Sequence, residues 1–324
     1  MTQDASDQLA TEAASDITDA RTLRERLSRV GYLADDDLAT TVWLSDALQR
    51  PLLIEGDAGV GKTALAQALA KANNGKLVRL QCFEGLDMSQ AAYEWNYGRQ
   101  LMAIRLQDGQ RQLQDSDVFQ REFLLERPLL QAISQTGPCV LLIDEIDRAD
   151  QAFEAFLLEV LSEYQITVPE LGTLRATHVP QVILTSNGTR ELSDALRRRC
   201  LYHYLDYPTL AREMAIVKSV LPHADTHLVE EAVAFVQRLR KEDLSKIPGI
   251  AETLDWIRAL FQLKQTSVLQ DMSATLSTLG CLLKTQEDRF MIGPERITQL
   301  VEGRRSVGVA EKKQDHTQAI LGNV

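Results

Sequence analysis

Residues 56–63 read Gly56-Asp57-Ala58-Gly59-Val60-Gly61-Lys62-Thr63, the complete G-x-x-x-x-G-K-[ST] pattern of a phosphate-binding loop. An apolar run at 51–55 precedes the loop and suits a buried parallel strand, whereas the Ala- and Leu-rich stretch 64–71 after it favours a helix. The glycines allow successive backbone N–H groups to face phosphates, and the helix N-terminus adds positive potential. A chance glycine-rich turn would lack this setting. All eight residues are therefore predicted to bind a nucleoside triphosphate, with Lys62 on the β- and γ-phosphates and Thr63 as a Mg²⁺ ligand.

The bulk composition limits the class of protein. The chain has 324 residues, 44% of them hydrophobic, which is ordinary for a globular protein of one or two domains. It has no apolar run of the roughly 20 residues that a membrane helix needs, and its polar, acidic start does not resemble a secretory signal. The four cysteines are widely spaced, which favours free thiols in a reducing compartment. We therefore expect a cytoplasmic protein without a membrane span.

The net charge of −11 argues against a protein that mainly coats nucleic acid, because neutralising phosphates needs a basic surface. A local basic channel is still compatible with this charge. Nucleic acid is therefore not an expected partner, although a nucleic-acid-stimulated motor is one alternative.

Strands and helices alternate as far as Asp206-Tyr207-Pro208, and only helical patterns follow. Alternation of this kind predicts a parallel sheet covered by helices on both faces. The predicted strands are Leu52–Glu55, Leu77–Cys82, Val140–Asp144, Val182–Ser186 and Leu201–Leu205. The predicted organisation is a flexible arm at 1–20, an α/β domain at 21–207, a helical lid domain at 208–302 and a flexible tail at 303–324. The fold class is therefore α/β, with a smaller all-α domain after it.

Two carboxylates directly follow the apolar run of the third predicted strand. Open α/β sheets bind their ligands at the carboxyl ends of the strands, where Asp144 and Glu145 would lie. Asp144 would hold Mg²⁺ through its coordinated water, and Glu145 would polarise the water that attacks the γ-phosphate. The alternative is a helix N-terminus with acidic residues favoured by the dipole. The complete phosphate-binding loop some 80 residues earlier favours the catalytic interpretation.

Polar and basic residues also lie between the fourth and the fifth predicted strands. Asn187 ends the fourth predicted strand and could bind both the attacking water and the γ-phosphate, although Asn-Gly is also a turn signal. Three arginines at 197–199 close a predicted helix, where they would suit its dipole as a solvated cluster. They could instead act as an arginine finger on the nucleotide of a neighbouring subunit. Arg198 and Arg199 are the candidates for that catalytic role.

The combination of these motifs with a helical lid resembles an AAA+ ATPase, and two further stretches resemble its MoxR group. The segment at about 83–106 is similar to the helix-2 insert of that group, and 165–176 is similar to its pre-sensor-1 hairpin. Four stretches look like the CoxD-like branch, and the similarity as a whole covers roughly residues 21–265. These stretches are Arg79-Leu80-Gln81-Cys82, Phe123-Leu124-Leu125-Glu126-Arg127-Pro128-Leu129, Asp144-Glu145-Ile146-Asp147-Arg148-Ala149-Asp150 and Pro248-Gly249-Ile250-Ala251-Glu252-Thr253-Leu254-Asp255-Trp256.

The resemblance implies ATP and Mg²⁺ as cofactors and a homo-oligomeric ring, hexameric in the family, with ATP between subunits. It also implies a partner with a von Willebrand factor A (VWA) domain and a metalloenzyme client, such as a molybdenum hydroxylase of the CO dehydrogenase type. Gly31 and Tyr32 would lie near the adenine. Many relatives have a second-sensor arginine after the Pro-Gly turn of the lid. Here Glu252-Thr253-Leu254 stands there, so Arg258, one turn later, either substitutes for it or is a surface residue.

Three alternatives remain at this point. A CbbQ- or NorQ-like activator of Rubisco or nitric oxide reductase would differ only in its client. A nucleic-acid-stimulated AAA+ motor would belong to another class. A regulatory switch that barely hydrolyses nucleotide would not need the Glu145 and Asn187 pair.

Overall fold

The computed structural model describes residues 19–107 and 118–303. The predicted flexible arm and tail therefore lie, except for their innermost residues, outside the described residues. The chain divides into two compact units, with the boundary between Tyr207 and Pro208. Each unit is described separately below.

Unit 1 contains a five-stranded sheet in which every pair of neighbouring strands is parallel. Its strands are β1 (Leu52–Glu55), β2 (Lys76–Gln81), β5 (Cys139–Asp144), β8 (Gln181–Ser186) and β9 (Leu201–Tyr204), in the spatial order β2-β5-β8-β1-β9. Its helices are α1 (Ala20–Arg29), α2 (Asp36–Ala47), α3 (Lys62–Ala72), α4 (Met88–Ala91), α5 (Tyr97–Gln107), α6 (Pro128–Ile133), α7 (Gln151–Glu163) and α8 (Asp194–Arg199).

The central strands β5 and β8 are buried along their whole length, as their continuous apolar sequences predict. Alternate residues of β5 belong to two different hydrophobic clusters: Leu141 and Ile143 to one, and Leu142 to the other. Because successive side chains of a strand point to opposite faces, the sheet has a hydrophobic core on each side. The polar residues at the carboxyl ends of these strands consequently share one edge of the sheet.

Two small antiparallel sheets are added to unit 1. β6 (Gln165–Val168) and β7 (Gly172–Arg175) form a hairpin within the segment expected at 165–176. β3 (Tyr93–Trp95) lies within the segment expected at 83–106, but it pairs with β4 (Leu124–Glu126), which lies beyond that range. The insertion is thus longer than local patterns indicate, because a strand of three residues is recognisable only from its partner.

The regular secondary structure in the described part of unit 2, residues 208–303, is helical. Its helices are α9 (Leu210–Val220), α10 (Thr226–Leu239), α11 (Ile250–Gln262), α12 (Met272–Thr278), α13 (Gln286–Met291) and α14 (Pro294–Glu302). The rings of Phe235 and Trp256 pack in its core with 5.0 Å between their centroids and a tilt of 42° between their planes. The pattern at 272–283 suggests one helix, whereas α12 ends at Thr278 and a 3-10 turn continues to Cys281. In the two described segments, 19–107 and 118–303, every helix is too short or too polar to cross a membrane.

Candidate functional site

The phosphate-binding loop joins the end of β1 to the start of α3, as its sequence setting predicts. Gly59 and Gly61 have φ angles of 81° and 105°, a region that side-chain-bearing residues rarely adopt. Gly56 is required for another reason, since a Cβ atom there would lie 2.2 Å from the Leu205 carbonyl oxygen. Gly61 is the N-cap of α3 and provides no side-chain cap. The first N–H groups of α3 thus keep the hydrogen-bonding capacity that an anion can use.

Lys62 is largely buried and directs its amine back over the loop. The amine donates to the carbonyl oxygens of Gly56 at 2.6 Å and Asp57 at 2.8 Å, and to Asn187 Oδ1 at 2.8 Å. Burial lowers the pKa of Lys62, while the charges of nearby carboxylates, Asp147 first among them, oppose that shift. The structure thus brings Lys62 and Asn187 together, although they are 125 residues apart.

The Asp144 carboxylate is the buried centre of the site, with 3% of the residue exposed. Its Oδ1 accepts from the hydroxyls of Thr185 at 2.6 Å and Thr63 at 3.2 Å. Its Oδ2 accepts from Arg79, at 2.6 Å from Nη2 and 3.0 Å from Nε. A hydroxyl and a carboxylate are the oxygen ligands that Mg²⁺ prefers, so Thr63 and Asp144 fit the predicted metal site.

Glu145 adopts the left-handed conformation, with φ 56° and ψ 52°. This conformation is uncommon for residues other than glycine and costs free energy, so something in the surroundings must stabilise it. The backbone N–H of Glu145 donates to Thr185 Oγ1 at 2.9 Å. Its carboxylate accepts from Gln81 Nε2 at 3.0 Å and from Arg148 at 3.1 Å. The turn places adjacent carboxylates in different surroundings: Asp144 is buried, and Glu145 is about one third exposed.

Asp147 fixes the loop that contains Asn187. Its Oδ2 accepts from the backbone N–H groups of Asn187 at 3.2 Å and Thr189 at 3.0 Å, and from the Thr189 hydroxyl at 2.6 Å. Its Oδ1 is buried and has no hydrogen-bond partner among the described residues. The Asn187 side chain is thereby held toward Lys62, where a γ-phosphate would approach.

The arginines of α8 have different surroundings. Arg199 donates to the carbonyl oxygens of Leu161 at 3.1 Å and Ser162 at 2.6 Å, near the end of α7. Arg198 is exposed, and no hydrogen bond or ion pair of its side chain occurs within residues 19–107 and 118–303. Its carbonyl oxygen accepts from Arg50 at 2.5 Å. The structure therefore distinguishes a structural arginine, Arg199, from an exposed one, Arg198.

The remaining predicted site residues lie at the periphery or in unit 2. Gly31 follows α1 with φ 87°, and Tyr32 packs on the hydrophobic cluster that contains Val60 of the loop. Arg258 belongs to unit 2, where it pairs with Asp255 at 3.0 Å beside an apolar cavity of about 180 Å³.

Sequence reasoning assigned no role to three residues that contact the acidic pair. These are Arg79, Gln81 and Thr185. Arg79 and Gln81 are exposed residues of β2 two positions apart, a spacing that places both on the same face of the sheet. In the register of the parallel strands Gln81 pairs with Asp144. No local sequence pattern marks these two residues, because only this register brings them to the acidic pair.

The chain is similar in sequence to several known proteins. Residues 51–200 match the model of the AAA domain (dynein-related subfamily). An uncharacterized protein of Staphylococcus haemolyticus is 28% identical over 222 residues, 67% of this chain and 77% of its own length. The gas vesicle ATPase GvpN of Haloferax mediterranei is 27% identical over 208 residues, 61% of this chain. The chain spans 58% of the length of that ATPase.

Among solved structures, the RuvB Holliday junction branch migration motor of Thermotoga maritima has 18% sequence identity and a TM-score of 0.41. The match covers 79% of this chain and 68% of RuvB. The matched AAA domain begins at Pro51 and ends at Cys200, so it includes every residue from Gly56 to Arg199 discussed above. Together with the parallel sheet, the match of residues 51–200 to the AAA-domain model confirms the predicted fold class, an α/β P-loop domain with the AAA+ fold followed by a helical region.

Proposed function

We propose that this protein, whose residues 51–200 match the AAA-domain model, is a Mg²⁺-dependent ATPase that remodels another protein. The observation that carries the proposal is the meeting of Lys62, Asn187 and the Asp144-Glu145 pair at one edge of the sheet. Binding alone needs only the loop. A carboxylate beside the γ-phosphate position is additionally needed to polarise water, and Glu145 provides it. The ATPase names of the gas vesicle relatives support hydrolysis as well.

Each residue would act on a different part of the nucleotide. The loop from Gly56 to Gly61 and the start of α3 would bind the phosphates, and Lys62 would exchange its carbonyl contacts for phosphate oxygens. Thr63 and Asp144 would hold Mg²⁺, which neutralises phosphate charge when bound. Asn187 would orient the attacking water. Gly31 and Tyr32 would lie toward the base, whereas Arg258 has no assigned contact with nucleotide.

A ring with shared sites is the second part of the proposal. The exposed Arg198 has a side chain available for the nucleotide of a neighbouring subunit, whereas Arg199 is engaged at the end of α7. Such a finger neutralises charge that develops in the transition state and is worth roughly 10³–10⁵ in rate. A homo-oligomer, hexameric as in MoxR-type rings, would bring Arg198 to that position.

The client is the third part. The stretches that resemble the MoxR group support a metalloenzyme as the client and a VWA-domain protein as the partner, acting in the cytoplasm. The β3–β4 sheet and the β6–β7 hairpin of this chain are additions to the ATPase core, and they could contact such proteins. A CbbQ- or NorQ-like activator would use the same motor on a different client. The net charge of −11 favours both over a nucleic-acid motor.

Steady-state hydrolysis of ATP tests the enzymatic part. Glu145→Gln keeps the shape of the side chain but removes the charge, so we expect turnover to fall by about 10²-fold or more with nucleotide affinity nearly unchanged. Lys62→Ala should instead abolish or greatly weaken binding. Glu159→Gln, on the exposed face of α7, is the matched control. Wild-type turnover that equals that of Glu145→Gln would contradict the proposal.

The proposal for the client is tested by deleting the gene for this chain in cells. The metal content and activity of metalloenzymes encoded beside that gene are then measured. Loss of metal from one of them, with ATP turnover stimulated by a purified VWA-domain protein, is the expected result. Stimulation by DNA with unchanged metal content would favour the nucleic-acid motor.

A further inference from the structure

The Asp144 carboxylate has more hydrogen-bond donors than its proposed role as a metal ligand needs. Thr185 and Thr63 donate to Oδ1, and both Nε and Nη2 of Arg79 donate to Oδ2. A buried carboxylate needs such partners, because an unpaired buried charge is costly. The partner of Oδ2 is a full positive charge at 2.6 Å, in the region where a divalent cation would bind the same carboxylate.

Arg79 is the one of these partners that can leave at low cost. Thr185 is completely buried within β8, and Thr63 belongs to the first turn of α3. Arg79 reaches Asp144 from an exposed position on β2, an edge strand, and 52% of its side chain is exposed. A released guanidinium would thus be hydrated at once. A cation at Asp144 would also repel it.

We propose that Arg79 is an internal counter-cation that competes with Mg²⁺ for Asp144, so that binding of the metal–nucleotide complex must displace it. This inference rests on the Mg²⁺-nucleotide site proposed above. In such a competition only the molecules in which Arg79 has left Asp144 can bind the metal. The apparent affinity for the metal is therefore the intrinsic affinity multiplied by the fraction of such molecules. The ion pair thereby raises the Mg²⁺ concentration at which the site fills.

The displaced arginine also has a nearby acceptor. Arg79 Nη2 already donates to Gln81 Oε1 at 2.5 Å, and Gln81 Nε2 donates to Glu145 Oε2 at 3.0 Å. A contact between Arg79 and Gln81 thus joins the two carboxylates of the site. Release of Arg79 from Asp144 leaves it tethered beside Glu145, so that metal binding changes the electrostatic surroundings of the residue that polarises water.

The competition can be tested without any turnover by an equilibrium binding assay. A metal-free fluorescent ADP analogue is mixed with metal-free protein, and its fluorescence anisotropy is measured as Mg²⁺ is added. Arg79→Ala should lower the half-saturating Mg²⁺ concentration about fivefold, the factor that matches a partly exposed ion pair. Arg79→Lys keeps the charge and should shift it less than twofold. Arg121→Ala is the matched control. Arg121 is 57% exposed and its Nη2 lies 2.9 Å from Glu126 Oε1, in an ion pair that does not include Asp144.

Thermal melting gives the second readout and covers the case in which Arg79→Ala folds poorly. In EDTA the variant should melt about 2–4 °C below the wild type, and saturating Mg²⁺-ADP should close that gap, because the ion pair is absent from both bound proteins. An unchanged or increased Mg²⁺ requirement in Arg79→Ala overturns the role of Arg79 alone. A wild-type protein that binds no Mg²⁺-nucleotide overturns this inference and the proposed function together.

Discussion

Thr185 joins the two carboxylates of the candidate site through a single hydroxyl group. That hydroxyl donates to Asp144 Oδ1 at 2.6 Å and accepts from the backbone N–H of Glu145 at 2.9 Å, and the residue is completely buried. Thr185→Val replaces the hydroxyl by a methyl group of similar size. The substitution removes both hydrogen bonds with little change in shape, so it isolates what they contribute.

Two losses set the size of the effect. A hydrogen bond to a charged group contributes about 1.5–3 kcal/mol, and a buried N–H without a partner costs about 1–3 kcal/mol. Because the added methyl group recovers about 1 kcal/mol by its burial, we expect a net loss of about 1.5–5 kcal/mol. The left-handed backbone of Glu145 would also lose its anchor. A shift of its carboxylate by about 1 Å would lower turnover by about 10²-fold.

The assay compares three variants of the full chain. Thermal melting reports stability, ATP hydrolysis reports turnover, and anisotropy reports nucleotide affinity, which should stay within a few-fold of the wild type. Thr185→Ser keeps the hydroxyl and should retain most of the turnover despite some loss of packing. Thr167→Val, on the exposed face of β6, controls for the chemical change itself.

Two outcomes would refute the reasoning. Thr185→Val could match Thr167→Val in both melting temperature and turnover, which would mean that the hydroxyl contributes nothing. Alternatively, Thr185→Ser could lose as much turnover as Thr185→Val, and packing of the methyl group rather than hydrogen bonding would then position Glu145.

The different surroundings of Arg198 and Arg199 give one further prediction, and a buried ion pair in unit 2 gives another. Arg198→Ala should suppress turnover with an unchanged melting temperature, and activity should return in rings that also contain Glu145→Gln subunits. Arg199→Ala should instead lower the melting temperature, because Arg199 donates to two carbonyl oxygens near the end of α7. Equal melting temperatures of the two variants would count against this distinction. In denaturant unfolding, Glu213→Ala should destabilise unit 2 by about 3–5 kcal/mol, because the almost completely buried Arg240 loses both of its hydrogen bonds to the carboxylate. Asp255→Ala removes one partner of an exposed ion pair and should cost less than about 1 kcal/mol in the same assay.

The parts of this protein that are visible in its sequence are those with a local pattern. The strand-loop-helix setting of Gly56–Thr63 and the apolar run before Asp144 are contiguous, so both the sheet and the acidic pair could be predicted. The parallel arrangement then predicts that Asn187 joins them, because the carboxyl ends of β5 and β8 meet at one edge.

What could not be predicted depends on register and on solvent exposure. Arg79 and Gln81 have the alternation of an ordinary half-exposed strand, and only the pairing of β2 with β5 brings them to the acidic residues. Arg198 and Arg199 are equivalent in sequence, but the helix directs one to solvent and the other to the end of α7. The β3–β4 pair was likewise hidden by the separation of its strands along the chain.

The charged groups of the candidate site have hydrogen-bond partners within the chain, and this determines how variants should be interpreted. Lys62 contacts Asn187, Asp144 contacts Arg79, and Glu145 contacts Arg148. A bound nucleotide and its metal must exchange such contacts for new ones, so an affinity measures the difference between the two sets. Removing a residue that binds the ligand weakens affinity, whereas removing a residue that only occupies its partner strengthens it. The sign of the change in binding therefore separates a ligand-binding cation from an internal counter-cation: affinity should fall for Lys62→Ala and rise for Arg79→Ala.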